Sequence, residues 1–222
     1  MEITMKKLLV SSLFGASTLV ASQSAIAMDN VGLALNYGLI SGPALELTYP
    51  INDMLQVRGA LSAGMGLSET SSDTEVDYDV KADGGIYRLS MDYHPFSGTF
   101  FMSAGYAFND FKLKTNGTGT GTTTVGNTDF TGTVDINGAL EWDSAPMLSL
   151  GWGHSPSKGW GAMVEMGAIF TGAPDVSLSG TLNDSSDATL NTALKDEETK
   201  LKNDVGDFDF LPILQAGVTY RF

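Results

Sequence analysis

Apolar side chains alternate with small or polar ones in eight separate segments of this chain. In one of them Leu89 and Met91 alternate with Arg88, Ser90 and Asp92. Successive side chains of a β-strand point to opposite faces, so this period of two predicts strands with one apolar face. The eight segments are residues 31–39, 45–51, 55–67, 87–94, 100–109, 148–153, 160–170 and 210–222. Their repetition predicts an all-β fold.

Lipid is the environment that these apolar faces fit. No stretch after residue 28 has 18 consecutive apolar residues, so a membrane-spanning helix is not expected. A tilted strand crosses a bilayer with about 9 to 11 residues, and we expect each segment to cross. Glycine and alanine dominate the opposite face, which suits a narrow lumen. We therefore predict an eight-stranded antiparallel up-and-down transmembrane β-barrel, the smallest size usual for such barrels.

The lengths of the connections predict the orientation of this barrel. Three connections are short and rich in turn residues: 52–53, 95–98 and 155–159. Three others are long and polar: 68–83, 113–144 and 173–209. Residues 41–43 form one more short connection, on the side of the long ones. Outer-membrane barrels have short periplasmic turns and long external loops, so we place both chain ends in the periplasm.

The long connections carry 19 of the 26 acidic residues and are expected to lie outside the membrane. Residues 119–128 are rich in Gly and Thr, and this low complexity predicts a mobile loop. Alternation over residues 134–142 predicts an extension of the sixth strand above the membrane. Leucines near helical spacing in residues 187–203 predict a short surface helix or a disordered tip in the last external loop.

The N-terminus has the three parts of a secretory signal peptide. Lys6 and Lys7 precede a short apolar stretch, residues 8–20, and residues 25–27 form a small-x-small cleavage site. The alternative is a buried N-terminal helix. We therefore divide the chain into a signal peptide, residues 1–27, and a barrel, residues 28–222. The net charge of −14 argues against nucleic-acid binding, which needs clustered Lys and Arg.

The last nine residues, Leu214 to Phe222, end on an aromatic side chain and alternate before it. Further motifs are residues 92–96, Ser103-Ala104-Gly105 and Gly151-Trp152-Gly153. Together they resemble the family of small bacterial outer-membrane barrels of the OmpA and OmpW types. The chain ends at Phe222 without a peptidoglycan-binding domain, which departs from full-length OmpA, so we expect no cell-wall anchoring role.

That resemblance implies an outer-membrane location and an assembly signal for the barrel assembly machinery. The signal would consist of the outward residues of the last strand: Leu214, Val218, Tyr220 and Phe222. Expected partners are outer-membrane lipids and lipopolysaccharide, and we expect a monomer. An aromatic girdle at the membrane interface is expected from Tyr49, Tyr93, Phe96, Phe100, Trp142, Trp152, Trp160, Tyr220 and Phe222.

Charged residues on the inward parity form the candidate site: Glu46, Arg58, Arg88, Asp92 and Glu165. Buried charges are costly unless paired, so these residues should form a hydrogen-bonded network in the lumen. Arg221 has the same parity at the periplasmic rim, where water can solvate it. The network is either a selectivity element of a narrow pore or a plug that fixes the barrel. We favour the plug, because eight-stranded lumens are usually filled.

Catalysis, cofactors and metals are not expected. His94 and His154 precede predicted periplasmic turns, away from the outer leaflet where barrel enzymes act on lipid. The acidic residues of the first long loop lack the spacing and turn glycine of a calcium loop. We therefore expect a structural, surface-displaying barrel. The alternatives are a narrow pore for small or hydrophobic solutes, and adhesion or ligand binding through the acidic external loops.

Removal of Phe222 should impair membrane assembly, because the terminal aromatic residue belongs to the expected assembly signal. The measurement is the amount of folded barrel in the outer-membrane fraction, separated by gel mobility before and after boiling. Removal of Met28 is the control at the other end of the predicted barrel domain. Normal insertion without Phe222 would contradict the assignment of the signal.

Overall fold

The structure is a computed structural model that describes residues 30–66, 68–71, 76–154, 158–183 and 185–222. The predicted signal peptide, residues 1–27, lies outside the described residues. The strands are β1 Gly32–Gly38, β2 Gly42–Pro50, β3 Leu55–Ser62, β4 Ser68–Ser71, β5 Val76–Asp83, β6 Ile86–Tyr93, β7 Phe100–Asn109, β8 Lys112–Val125, β9 Thr128–Glu141, β10 Ala145–Trp152, β11 Gly159–Ile169, β12 Asp175–Leu182 and β13 Leu211–Arg221. One helix, α1, spans Ala188–Asp204 in the described part of the chain.

Eight strands form a closed antiparallel barrel in the order β1-β13-β11-β10-β7-β6-β3-β2. Each strand pairs with its neighbours along the chain, and the first and last strands close the ring, with Leu35 opposite Val218. The predicted eight-stranded up-and-down barrel is confirmed. Closure leaves no free strand edge, which is what a sheet in hydrocarbon requires.

The barrel wall is apolar outside and polar or small inside. In β1, Leu35 is 47% exposed, whereas Ala34 and Asn36 on either side are buried in the lumen. The same alternation runs through β2, where Glu46 is buried between exposed Leu45 and Leu47. Because side chains alternate along a strand, the sequence period sets which residues face the interior.

Exposed aromatic side chains occur at both ends of the wall. The end with the short turns has Tyr49, Tyr93, Phe96, Trp152 and Trp160, and the opposite end has Tyr37, Tyr87, Phe108, Phe170 and Phe210. Two such girdles flank the apolar band of membrane barrels. Trp142 does not belong to either girdle, because it packs inside the external mouth against Phe111, with ring centroids 5.7 Å apart.

All three long connections contribute to one five-stranded sheet, in the order β12-β9-β8-β5-β4. The first connection contains β4 and β5, the second β8 and β9, and the third β12 and α1. This sheet corrects the expectation of loops. Residues 119–128, expected to be mobile, form the end of the β8–β9 hairpin, where Val125 pairs with Thr128.

Two further strand predictions were wrong. Residues 134–142 do not extend the sixth barrel strand, since residues 134–141 belong to β9 in the second sheet. The third barrel strand ends at Ser62 and not at residue 67. Gly64 adopts a φ of 76° there, and a side chain at this position would collide with the backbone oxygen of Gly84. The chain therefore turns out of the barrel at this close approach.

Helix α1 confirms the surface helix that the leucine spacing in residues 187–203 predicted as one of two outcomes. It covers one face of the external sheet. Asp187 caps the helix, accepting hydrogen bonds from the amides of Thr189 and Leu190. Leu190 and Leu194 pack against Val134 in a buried apolar cluster. Among the described residues, no helix is long and apolar enough to cross a bilayer.

The open edge of β12 is also held by α1. The backbone N–H of Leu178 donates to Glu198 Oε2 at 3.3 Å. Lys202 donates to the other oxygen of the same carboxylate at 3.0 Å. The Lys202 ammonium and the Leu178 amide lower the pKa of Glu198. An edge amide that is already hydrogen-bonded in this way cannot pair with a strand of another chain.

Leu194→Ala should loosen α1 from the sheet without opening the barrel. Truncating a buried leucine costs about 2 to 5 kcal/mol, so α1 should separate from the sheet more often. The measurement is amide hydrogen exchange of α1 and β12. Leu201→Ala is the matched control, since Leu201 is exposed on the same helix. Equal exchange in the two variants would contradict the packing described above.

Acidification should also loosen α1. The lowered pKa of Glu198 means that its contribution to docking is present near neutral pH and is lost as the pH falls through its folded-state pKa. Amide exchange of α1 should therefore rise relative to the barrel on acidification. Glu198→Gln should remove most of this pH dependence, whereas Glu197→Gln should retain it. An unchanged profile in Glu198→Gln would contradict this assignment.

Candidate functional site

Four barrel strands bring the charged residues predicted for the lumen to one level. Glu46 comes from β2, Arg58 from β3, Arg88 and Asp92 from β6, and Glu165 from β11. All five side chains are buried. Pairing of Arg58 with Ser90 across β3 and β6 places Arg58 between Arg88 and Asp92 along the lumen. The structure therefore places the five residues in direct contact.

Arg58 is the centre of this network and is 2% exposed. Its guanidinium donates to both oxygens of Glu165, with Nη1–Oε2 at 2.6 Å and Nη2–Oε1 at 2.9 Å. Nη2 also donates to Asp92 Oδ1 at 3.0 Å, and Nη1 donates to Glu46 Oε2 at 3.3 Å. One planar cation thus binds three carboxylates from three strands, with a bidentate contact to one of them.

Arg88 and Gln215 form the layer on the external side of Arg58. Arg88 Nη2 donates to Glu46 Oε1 and to Gln215 Oε1, both at 2.7 Å. The amide nitrogen of Gln215 donates to Glu46 Oε1 at 3.0 Å and to Glu165 Oε2 at 2.6 Å. Gln215 therefore joins the two glutamates and locks its own orientation, because its oxygen must face Arg88.

Gln56 has the corresponding role at the periplasmic end. Its amide nitrogen donates to Asp92 Oδ2 at 3.1 Å, and its oxygen accepts from Arg221 Nη2 at 2.7 Å. His94 Nδ1 lies 2.7 Å from the carbonyl of Gly98, so Nδ1 carries a proton. His94 Nε2, 3.2 Å from Gln56 Nε2, then accepts a hydrogen bond from the amide.

Phe101 packs among these polar groups and is fully buried. In the sequence Phe101 has the inward parity of its strand, between Phe100 and Met102. The guanidinium carbon of Arg58 lies 5.2 Å from the ring centroid, within the range of a cation–π contact. The rings of His94 and His154 lie 5.8 Å and 5.6 Å from the same centroid. Phe101 thus fills the space that the charged side chains leave.

His154 also touches the network, with Nε2 3.1 Å from Glu46 Oε2. Both histidines were expected at periplasmic turns, and the structure buries their rings in the lumen at the end with the short turns. Ser155, the neighbour of His154, lies outside the described residues. So do Asp73 and Glu75 of the acidic loop, and the described residues contain no group of three metal-ligating side chains.

The network of Glu46, Arg58, Arg88, Asp92 and Glu165 is called the charged layer from here on. On its external side, apolar residues fill the lumen, and we call this group the external apolar layer. It consists of Ala82, Ile86, Ala107, Phe111, Ala145, Met147, Ile169, Leu211 and Ile213, with Ile40, Met65, Leu113 and Trp142 packed against it. Some members come from barrel strands and others from the start of the external sheet. This layer therefore joins the barrel to the sheet as one packed unit.

The external apolar layer was missed from the sequence, although a signal was present. Near the external ends of three strands both parities are apolar, as in Met147-Leu148, Ile169-Phe170 and Ile213-Leu214. Gln56, Ser103, Ser149 and Gln215 were missed as network members, although each has the inward parity. Ser103 accepts from Arg58 at 3.2 Å, and Ser149 donates to Glu165 at 2.5 Å.

The residues of the expected assembly signal lie on the outward face of β13. Leu214, Val218 and Phe222 are exposed. Tyr220 packs edge-on against Trp160 and Phe222, with ring centroids 5.0 Å and 4.9 Å away. The four side chains therefore share the outward surface of β13, and their role in assembly stays a prediction.

Two solved structures have the same fold. CarO2 of Acinetobacter baumannii superposes with a TM-score of 0.59 at 22% sequence identity, covering 87% of this chain and 99% of that chain. CarO of the same organism gives a TM-score of 0.59 at 25% identity, with coverage of 87% and 98%. Neither a protein-family model nor a curated protein sequence matches the chain. The resemblance to the OmpA and OmpW types stays a prediction.

Arg58→Ala should strongly destabilise the barrel, because it leaves three buried carboxylates without their shared cation. Removing one partner of a buried pair costs about 3 to 5 kcal/mol. The measurement is urea unfolding in detergent micelles or vesicles. Lys112→Ala is the control, since its exposed pair with Glu141 should contribute below about 1 kcal/mol. A change for Arg58→Ala no larger than that of the control would contradict the pairing.

Proposed function

We propose that the protein is an integral outer-membrane barrel that does not conduct, and that its role is to anchor the external sheet at the cell surface. The apolar wall with aromatic side chains at both ends supports a membrane location. The signal-peptide pattern and the likeness to CarO support the outer membrane. Barrel assembly machinery, membrane lipids and lipopolysaccharide remain the expected partners.

Closure of the lumen is the observation that carries this proposal. Three carboxylates and two arginines occupy the middle of the barrel and pair with one another. Above them the external apolar layer excludes the polar contacts that an ion needs when it leaves water. A conducting pore would need a continuous wet path, and two stacked layers of different chemistry oppose it.

The external sheet is the part of the protein that the barrel would present at the cell surface. It is built from all three long connections and held together by its own apolar cluster under α1. Strand β8 runs from the external apolar layer to this cluster, since Leu113 packs in the first and Val125 in the second. A rigid barrel fixes the sheet relative to the membrane, as expected of a scaffold for surface contacts.

Planar-bilayer recordings test the proposal. The wild-type protein should insert without stable conductance steps. Arg58→Ala with Glu165→Ala should still be silent, because the external apolar layer remains. Met147→Ala with Ile169→Ala should be silent as well, because the charged layer remains. Combining the four substitutions should give steps, since both barriers are then trimmed.

The narrow-pore alternative predicts the opposite result, conductance by the wild-type protein. It requires steps from the wild-type protein, with a cation-to-anion preference that changes in Arg58→Lys. Leu89→Ala is the control, because this side chain points to lipid and not into the lumen. Reproducible wild-type steps that respond to Arg58→Lys but not to Leu89→Ala would overturn the closed-barrel proposal.

A further inference from the structure

A cavity of about 90 Å³ opens at the periplasmic end of the barrel, where β1, β11 and β13 meet. It is several times the space that one water needs. Its polar lining comes from Thr48, His154, Lys158, Thr219 and Arg221. No carboxylate lines it among the described residues.

Arg221 is the unusual member of this lining. It is 4% exposed, so it is not solvated at the rim as the sequence suggested. Its guanidinium donates to two neutral oxygens, the carbonyl of Asn30 at 3.1 Å and Gln56 Oε1 at 2.7 Å. Within the described residues no carboxylate lies within salt-bridge distance of it, whereas Arg58 and Arg88 both have carboxylate partners. A buried cation without a counter-ion favours an anion in the adjacent space.

Two threonine hydroxyls add donors to the same cavity. They belong to Thr48 and Thr219, which both line it. Each hydroxyl lies against a glycine of the neighbouring strand. A Cβ at Gly161 would lie 2.7 Å from Thr219 Oγ1, and one at Gly32 would collide with Thr48. The guanidinium and the hydroxyls can therefore reach one small oxyanion, with Lys158 at the mouth.

The position of the cavity further limits which ligands could bind there. Trp160 and Tyr220 form its outer rim and belong to the aromatic surface at the membrane interface. Lipid phosphates lie at this level beside the aromatic belt. Arginine and lysine together with hydroxyl donors suit a tetrahedral phosphate, which offers several acceptor oxygens to a planar guanidinium.

We propose that this cavity binds a phosphate group, carried either by a phospholipid headgroup of the periplasmic leaflet or by free phosphate. The bound group would supply the charge that Arg221 lacks in the chain itself. It would also accept hydrogen bonds from Thr48 and Thr219. The site adjoins the charged layer around Arg58, to which Arg221 is linked through Gln56 and His154 through its contact with Glu46.

The test uses the purified full-length barrel in a nonionic detergent. In one arm, sodium phosphate is titrated at constant ionic strength by calorimetry. In the other, retention of phosphatidylglycerol is counted by native mass spectrometry. Binding of inorganic phosphate would identify a free-anion site. Lipid retention without binding of inorganic phosphate would identify a headgroup site.

Variants decide whether the cavity is responsible. Thr48→Val with Thr219→Val keeps the side-chain shapes and should weaken whichever binding is seen by at least about tenfold, since charge-assisted hydrogen bonds are lost. Arg221→Gln should weaken it at least as much. Thr99→Val is the matched control, because Thr99 is exposed at the same end and does not line the cavity. It should leave binding unchanged.

Gly161→Ala provides a further variant that adds bulk without altering charge. Its Cβ displaces the Thr219 hydroxyl, so binding should fall. Gly59→Ala is the control, since its Cβ meets no atom within 4 Å. Absence of binding in both arms would overturn the proposal. So would binding that survives in Arg221→Gln and in the paired threonine variant.

Discussion

Neutralisation of Arg58 inside a ring of strands is the constraint on which the rest of the structure depends. A guanidinium cannot lose its proton, and hydrocarbon surrounds the barrel, so its charge must be matched inside. Glu46, Asp92 and Glu165 supply three carboxylates from three different strands. Their convergence requires one register of pairing around the ring. A slip of one strand by a single residue would turn the charge of that strand toward lipid.

The upper half of the barrel follows a different physical principle. There the lumen is filled by the external apolar layer, where Met147, Ile169 and Ile213 pack without polar partners. Apolar packing defines the orientation of side chains only weakly, whereas the ion pairs below fix the orientation of the charged groups. The combination explains how a narrow barrel can be both closed and joined to a large external sheet. Phe111 and Trp142, which stack on each other, connect the two parts.

The barrel could be predicted from the sequence because the alternation that marks each strand lies within a few consecutive residues. Alternation at Leu89, Met91 and Tyr93 states which side faces lipid, and the same parity places Arg88 and Asp92 inside. Parity also gave the set of charged lumen residues. It could not give the partner of each charge, because which carboxylate meets Arg58 depends on the register of strands that are far apart in sequence, as with Glu165.

The external sheet was beyond the reach of the same reasoning. Residues 115–124 of β8 are Thr, Asn and Gly, so no apolar alternation marks them as a strand. Their partners lie in β5 and β9, and β9 pairs in turn with β12 from another connection. Such pairing is decided by long-range contacts and not by propensity. The helix was more accessible, because Leu190 and Leu194 carry a local period.

A double-mutant cycle between Arg58 and Glu165 tests the central claim most directly. The unfolding free energies of Arg58→Met, Glu165→Met and the double variant would be measured in vesicles. If the bidentate pair neutralises the lumen, the double variant should lose less than the two single variants together, by about 1.5 kcal/mol or more. Additive losses would mean that the two charges do not meet inside the barrel, and the account of a closed, ion-paired lumen would be wrong.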